Sequence, residues 1–188
     1  MTTDDKYKNL DRVNFWVTNC DSKVSYLLTL QGIILTIIFT SSYAERLIVT
    51  FSYSLTFNNF SWMSFFRFIE GVSLYAFIVL ILLSLYNAYS TLRARLDPKI
   101  FQESGLVTNS VLFFETIANR KFADFQTDQQ ATTNINANTL DNDIDSQVFI
   151  NSKICQLKFK HYNLTLKFCK LAVIAGLIYL IMTIKNGI

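Results

Sequence analysis

The sequence predicts an all-α integral membrane protein with three transmembrane helices and a cytosolic helical region, the last helix running unbroken from cytosol into membrane. Three observations carry this reading. Charge vanishes from two long windows and nearly from a third, apolar residues recur at helical spacing beyond those windows, and Lys and Arg are shared unequally among the segments between them. Composition agrees. Of 188 residues, 51% are hydrophobic and only 16% charged, with mean hydropathy +0.29, whereas soluble domains carry about a quarter charged residues.

Between Lys23 and Glu45 lie 21 residues without an ionisable acid or base, and between Glu70 and Arg93 lie 22 more. At about 1.5 Å rise per residue each covers roughly 30 Å, the thickness of a hydrocarbon core. The third window, between Lys170 and Lys185, has 14. It spans if those two lysines extend their stems to opposite interfaces. The organisation is therefore an N-terminal helical extension over 1–23 and a first span over 24–44. An outer aromatic hairpin covers 45–70 and a second span 71–92. A cytosolic helical region follows over 93–170, with a polar linker at 127–145, and the third span occupies 171–184.

Orientation follows from the basic residues. Lys6, Lys8, Arg12 and Lys23 precede the first span, ten more Lys and Arg lie from Arg93 to Lys170, and the hairpin has only Arg46 and Arg67. Cytoplasmic segments carry the basic excess, so the N-terminus and 93–170 are expected in the cytoplasm and the protein in the inner (plasma) membrane. The net charge of +3 is thus a topological signal and does not point to nucleic acid. No cleavable leader is expected, because 23 residues with four aspartates precede the first apolar run. Cys20, Cys155 and Cys169 are odd in number, lack metal-ligand spacing and read as reduced, small apolar residues.

Within the first span, Ser25, Thr29, Gly32, Thr36 and Thr40 form a stripe of small or weakly polar residues, read as a helix-packing face or as the lining of a path in an oligomer. The hairpin, with Phe51, Tyr53, Trp62 and Phe65 among its many aromatics, reads as an interfacial belt. Pro98 stops the second helix. Residues 109–126 place Val111, Phe114, Ala118, Phe122 and Phe125 on one helical face, although VLFF also suits a short strand. Ile150, Ile154, Leu157, His161, Leu164, Phe168 and Leu171 alternate steps of four and three. This apolar seam continues through Ala175, Ile178 and Met182. Ala172 and Gly176 add a small-xxx-small pair suited to close packing in lipid.

Candidate chemistry is sparse. Lys153, Lys160 and Lys167 recur every seven residues along one flank, with Lys158 on the other side of the seam; Arg120 and Lys121 come from the preceding helix. Lys153, Lys158, Lys160, Arg120 and Lys121 are the candidate phosphate-binding residues, against the alternative of a solvated, snorkelling face. Asp141, Asp143 and Asp145 have the opening spacing of a calcium loop but lack its Gly and Glu, so helix capping explains them better. With a single histidine, His161, no histidine metal site or acid/base pair can be built; it reads as setting register in the seam. No phosphate-binding glycine loop, nucleophile elbow or zinc signature is present, and no enzyme, resident cofactor or metal is expected.

The assembled residues resemble the transmembrane effectors of Pycsar anti-phage systems and the related membrane effectors of CBASS-type systems. The resemblance runs through Asp21, Lys23, Leu28 and Gly32 in NCDSKVSYLLTLQG, then Leu92, Arg93 and Pro98, then Phe113, Phe114, Ile117 and Ala118 in SVLFFETIA. It closes with Gln147, Asn151, Ile154, Lys158 and Tyr162 in SQVFINSKICQLKFKHY. It implies a partner cyclase that makes a cyclic nucleotide on infection, and an effector, expected to be a homo-oligomer, that responds by damaging the inner membrane. The alternative is an assembly protein whose cytosolic helices form a coiled coil with a partner subunit.

Overall fold

The structure, a computed structural model, describes residues 2–40, 62–93, 103–107, 110–134 and 137–187. Most of the expected outer hairpin, Thr40's side chain, Arg95 and Pro98 lie outside the described residues. Every regular element among the described residues is a helix. These are α1 (Thr3–Thr40), α2 (Trp62–Leu92), α3 (Phe114–Ala118), α4 (Phe122–Asn134) and α5 (Ala137–Gly187). Three of them, over Thr3–Ile38, Ser64–Leu92 and Thr139–Lys185, are long and apolar enough to cross a membrane. The 51 residues of α5 form one helix through both the charged and the apolar part of the sequence.

The chain divides into two compact units. The apolar one comprises Ser22–Leu92 and Lys160–Ile188, the polar one Met1–Asp21 and Arg93–Phe159.

In the apolar unit the core is Phe77, Ile81, Ala172 and Ala175, flanked by Ile34, Leu35 and Ile38, with Leu74 against Tyr179 beside it. The bulkier aliphatics point outward: Leu30, Ile33, Val79, Leu82, Ile174 and Ile181 are all exposed on the protein surface. Of the expected apolar seam, Ile150 and Ala175 are buried, but the rest is not. Leu171 and Ile178 are exposed, while Thr165, Ala172, Tyr179 and Thr183 are buried on a face turned one residue further along α5. Lipid solvates Leu and Ile as well as a protein core does, so helices meet through small and weakly polar side chains. Ala172 is fully buried, and Gly176 faces Phe77 so closely that a Cβ there would stand 3.2 Å from the ring.

The stripe on α1 behaves otherwise. Ser25, Thr29, Gly32 and Thr36 are exposed, nothing lies within 4 Å of a Cβ built on Gly32, and Cys20, Val24 and Gln31 are the buried side of the helix. The expected packing face therefore does not pack within this chain. The Thr29 and Thr36 hydroxyls donate to the Ser25 and Gly32 carbonyls one turn back, so their polarity is absorbed by their own helix.

Three local expectations are corrected in the polar unit. Residues 109–126 are not one helix. The Ser110 hydroxyl oxygen accepts from the N–H groups of Leu112 and Phe113, and Asp143 accepts from Val111, which holds this stretch in a bend until α3 begins at Phe114. The linker at 127–145 is largely helical, belonging to α4 up to Asn134 and to α5 from Ala137; residues 127–130, Asn142 and Asp145 are exposed, whereas Asp143 is buried. The aspartates do not cap a helix, because α5 starts at Ala137, a full turn before Asp141, and has no acid in its first turn. Upstream, Gly105 adopts φ +94° in a turn closed by the Leu106 N–H to the Glu103 carbonyl, a conformation that disfavours any side chain.

Candidate functional site

The displaced aspartates bind instead of capping. Thr3 donates to Asp141 at 2.9 Å, and the Lys6 ammonium reaches both Asp141 and Asp145 at 3.4 and 2.5 Å. Further along the same pair of helices, Asn151 donates to Asn14, and Trp16 meets the edge of Phe159. The line ends at Asp21 and Lys158, whose oxygen and nitrogen are 2.6 Å apart. Lys158 is 7% exposed and Asp21 36%. A lysine is rarely this buried unless paired, and the ion pair supplies the reason it is tolerated here.

The hydrogen bond to Asp145 pushes the Lys6 ammonium above its ordinary value, with Asp141 adding to the effect. A raised lysine contributes stability fully below the unfolded value near 10.5, and loses it as pH rises through the higher folded one. We expect an NMR titration of Lys6 to find its midpoint above 10.5; a midpoint at or below it would show that the clasp does not form. Cys155, one turn before Lys158, has its thiol pushed up by burial, with Lys158 pulling it down and Asp21 pushing it up. Cys155 should therefore alkylate more slowly at about pH 8 than a free thiol, faster after Asp21→Asn and slower after Lys158→Gln. Equal rates in all three proteins would mean that neither charge reaches the sulfur.

The five candidate cations do not converge. Lys158 is engaged by Asp21; Lys153 pairs with Glu103 at 3.6 Å and lies over the Phe149 ring; Arg120 pairs with Asp128 at 3.1 Å. Lys121 and Lys160 are exposed, Lys160 falling in the apolar unit, and Lys167 is exposed as well. The row at intervals of seven is thus an outward face, whereas Lys158 alone among these lysines points into protein.

The apolar unit has its own polar contacts, most of them between helices. Gln31 on α1 donates to the Ser84 hydroxyl on α2 at 2.6 Å, and Ser84 donates to the Thr165 carbonyl on α5 at 2.9 Å. His161 Nδ1 stands 3.2 Å from Asn87 Oδ1, whose amide nitrogen donates to the Leu83 carbonyl. Toward the other end Thr183 donates to the Glu70 carboxylate at 3.0 Å, and Lys185 lies over the Phe66 ring. Ser84 and Asn87 are polar residues near the end of an otherwise apolar, uncharged window, a sequence signal for hydrogen bonding between helices. Gln31, Glu70, Asp21 and Lys6 were missed. Gln31 is the bulkiest polar side chain in the first window, and that was a usable signal.

These features define an all-α membrane protein whose spanning helices are tied by buried hydrogen bonds and whose polar unit is tied by ion pairs. The Pycsar effector protein domain family matches residues 6–184. The Pycsar effector protein GmPycTM of Gulbenkiania mobilis is 34% identical over 164 residues, covering 83% of this chain and 80% of that protein. The chain belongs to the Pycsar effector family, membrane effectors of anti-phage defence. No solved structure matches it.

Proposed function

We propose that this chain senses a cyclic nucleotide made by a partner cyclase and responds, without catalysis and as a homo-oligomer, by permeabilising the inner membrane of the infected cell. The observation that carries the reading is membership of the effector family over 6–184, joined to three helices capable of crossing a bilayer. Support for signal transmission comes from α1 and α5. Each is one unbroken helix that holds ion-paired residues in the polar unit and membrane-spanning length in the apolar one. A ligand can shift such a protein only if it binds the activated arrangement more tightly than the resting one. The basic excess of 1–23 and 93–170 supports a cytoplasmic polar unit, where a nucleotide would be met.

The experiment is co-expression of this chain with a nucleotide cyclase from a Pycsar system. Membrane potential should collapse only when both are present and the cyclase is active. A potential that stays unchanged, with the protein demonstrably in the membrane, would remove the effector reading and leave a docking protein in its place.

A further inference from the structure

We propose that Lys158 is an anion site closed in this structure by Asp21, and that a phosphate group of the activating ligand opens the polar unit by replacing the Asp21 carboxylate. This rests on the cyclic-nucleotide reading, and it adds the group that recognises the ligand and the contact that keeps the protein at rest.

The geometry points to a lock more than to a stabilising strut. Lys158 lies on α5 with its ammonium 2.6 Å from a carboxylate on α1; among the described helices, these two alone carry residues of both units. Taking a lysine out of water costs several kcal/mol, and a single ion pair repays that incompletely. A buried pair of this kind is best attested as a device for choosing one arrangement over another. The two partners are unequal. Lys158 is nine-tenths buried while a third of Asp21 remains in solvent, so an incoming anion meets the carboxylate first and can take its place without Lys158 ever becoming unpaired. A phosphate offers more acceptor oxygens than a carboxylate and bonds ammonium groups at least as strongly.

What Asp21 holds in place also matters. The α1 segment from Thr3 to Asp21 is attached to α5 by Lys6, Thr3, Asn14 and Trp16 as well. Asp21 is its last residue before the chain enters the apolar unit at Ser22, and Lys158 is two residues before the same transition at Lys160. Releasing this pair frees the end of the clasp that adjoins, in sequence, the membrane-spanning parts of both helices. The remaining contacts keep the two segments associated, so the change is an opening at one end.

The test uses the full chain in detergent, titrated with 3′,5′-cyclic mononucleotides, a cyclic dinucleotide and inorganic pyrophosphate. With the competing carboxylate neutralised, Asp21→Asn should bind a phosphate-bearing probe about tenfold more tightly than wild type, the size of a lost charge-assisted contact. Asp21→Glu and Lys158→Arg, which keep the pair, should stay near wild type. Lys158→Gln should bind tenfold or more weakly; the carboxylate it leaves behind, Asp21, is part-exposed, so its helical circular dichroism should match wild type. The lock is overturned if Asp21→Asn and Lys158→Gln, both folded, bind as wild type does. If cyclic nucleotides bind all the variants equally, the lock is wrong and the sensor reading stands. If pyrophosphate follows the predicted order while no cyclic nucleotide binds any protein, the anion site stands and cyclic-nucleotide sensing falls. Absence of binding by every probe to every folded variant overturns both.

Discussion

Replacing Gly176 with leucine should destabilise the apolar unit by about 1–3 kcal/mol, the cost of overpacking a core that cannot give way. Even a methyl at this position would stand 3.2 Å from the Phe77 ring, and that ring belongs to the buried core with Ile81, Ala172 and Ala175. The leucine must displace Phe77 or push α5 from α2. Gly32→Leu supplies the contrast, because nothing lies within 4 Å of a Cβ built there and the new side chain has open space within this chain. There the main effect is a gain in helix propensity, worth up to about 1 kcal/mol. Phe77→Ala alone should cost about 3–5 kcal/mol through the cavity it leaves. Combined with Gly176→Leu it should cost less than the sum, since the leucine fills part of that space. Denaturation in detergent followed by circular dichroism gives all four values. A Gly176→Leu protein as stable as Gly32→Leu would show that the α2–α5 contact is absent.

Ser84→Ala should cost about 1–2 kcal/mol by the same measurement, and more than Gln31→Leu does. Ser84 accepts from Gln31 and donates to the Thr165 carbonyl, so its hydroxyl joins α1, α2 and α5 through two bonds. Its removal leaves the Gln31 amide buried, fully enclosed, and without that partner. Gln31→Leu takes away the donor together with a carbonyl oxygen that has no hydrogen-bond partner among the described residues, and replaces both with a side chain of similar size. Buried polar contacts between membrane helices are individually modest. The order of the two variants is therefore more diagnostic than either magnitude. Equal costs would mean that Gln31 and Ser84 do not depend on one another.

Much of the architecture was legible because the bilayer imposes a length on uncharged sequence. The windows ending at Glu45 and Arg93 each met that length, and the lack of proline between Lys153 and Lys185 allowed one helix through to the third apolar window. The face of each helix was less legible. In the membrane part of the seam, Leu171 and Ile178 are what water would bury, but lipid removes the reason to bury them, and Thr165, Ala172 and Tyr179 turn inward beside the seam's own Ala175. Ser25, Thr29, Gly32 and Thr36 do not pack within this chain, and the threonine hydroxyls are satisfied on their own helix. Pairings between residues more than a hundred positions apart, such as Lys6 with Asp145 and Asp21 with Lys158, leave no periodic trace in a sequence. Of the five cations chosen for a phosphate, Lys158 was picked for its place beside the seam. What distinguishes it, a carboxylate partner on a distant helix, is a tertiary fact.

If a cyclic nucleotide converts this protein from a closed membrane bundle into one that lets ions through, the purified chain should show it in isolation. Reconstituted into vesicles carrying a potassium diffusion potential, it should leave the potential intact until one cyclic nucleotide of a tested panel is added, and should then discharge it. A potential that decays equally with and without every nucleotide, or that none of them disturbs, would contradict that mechanism.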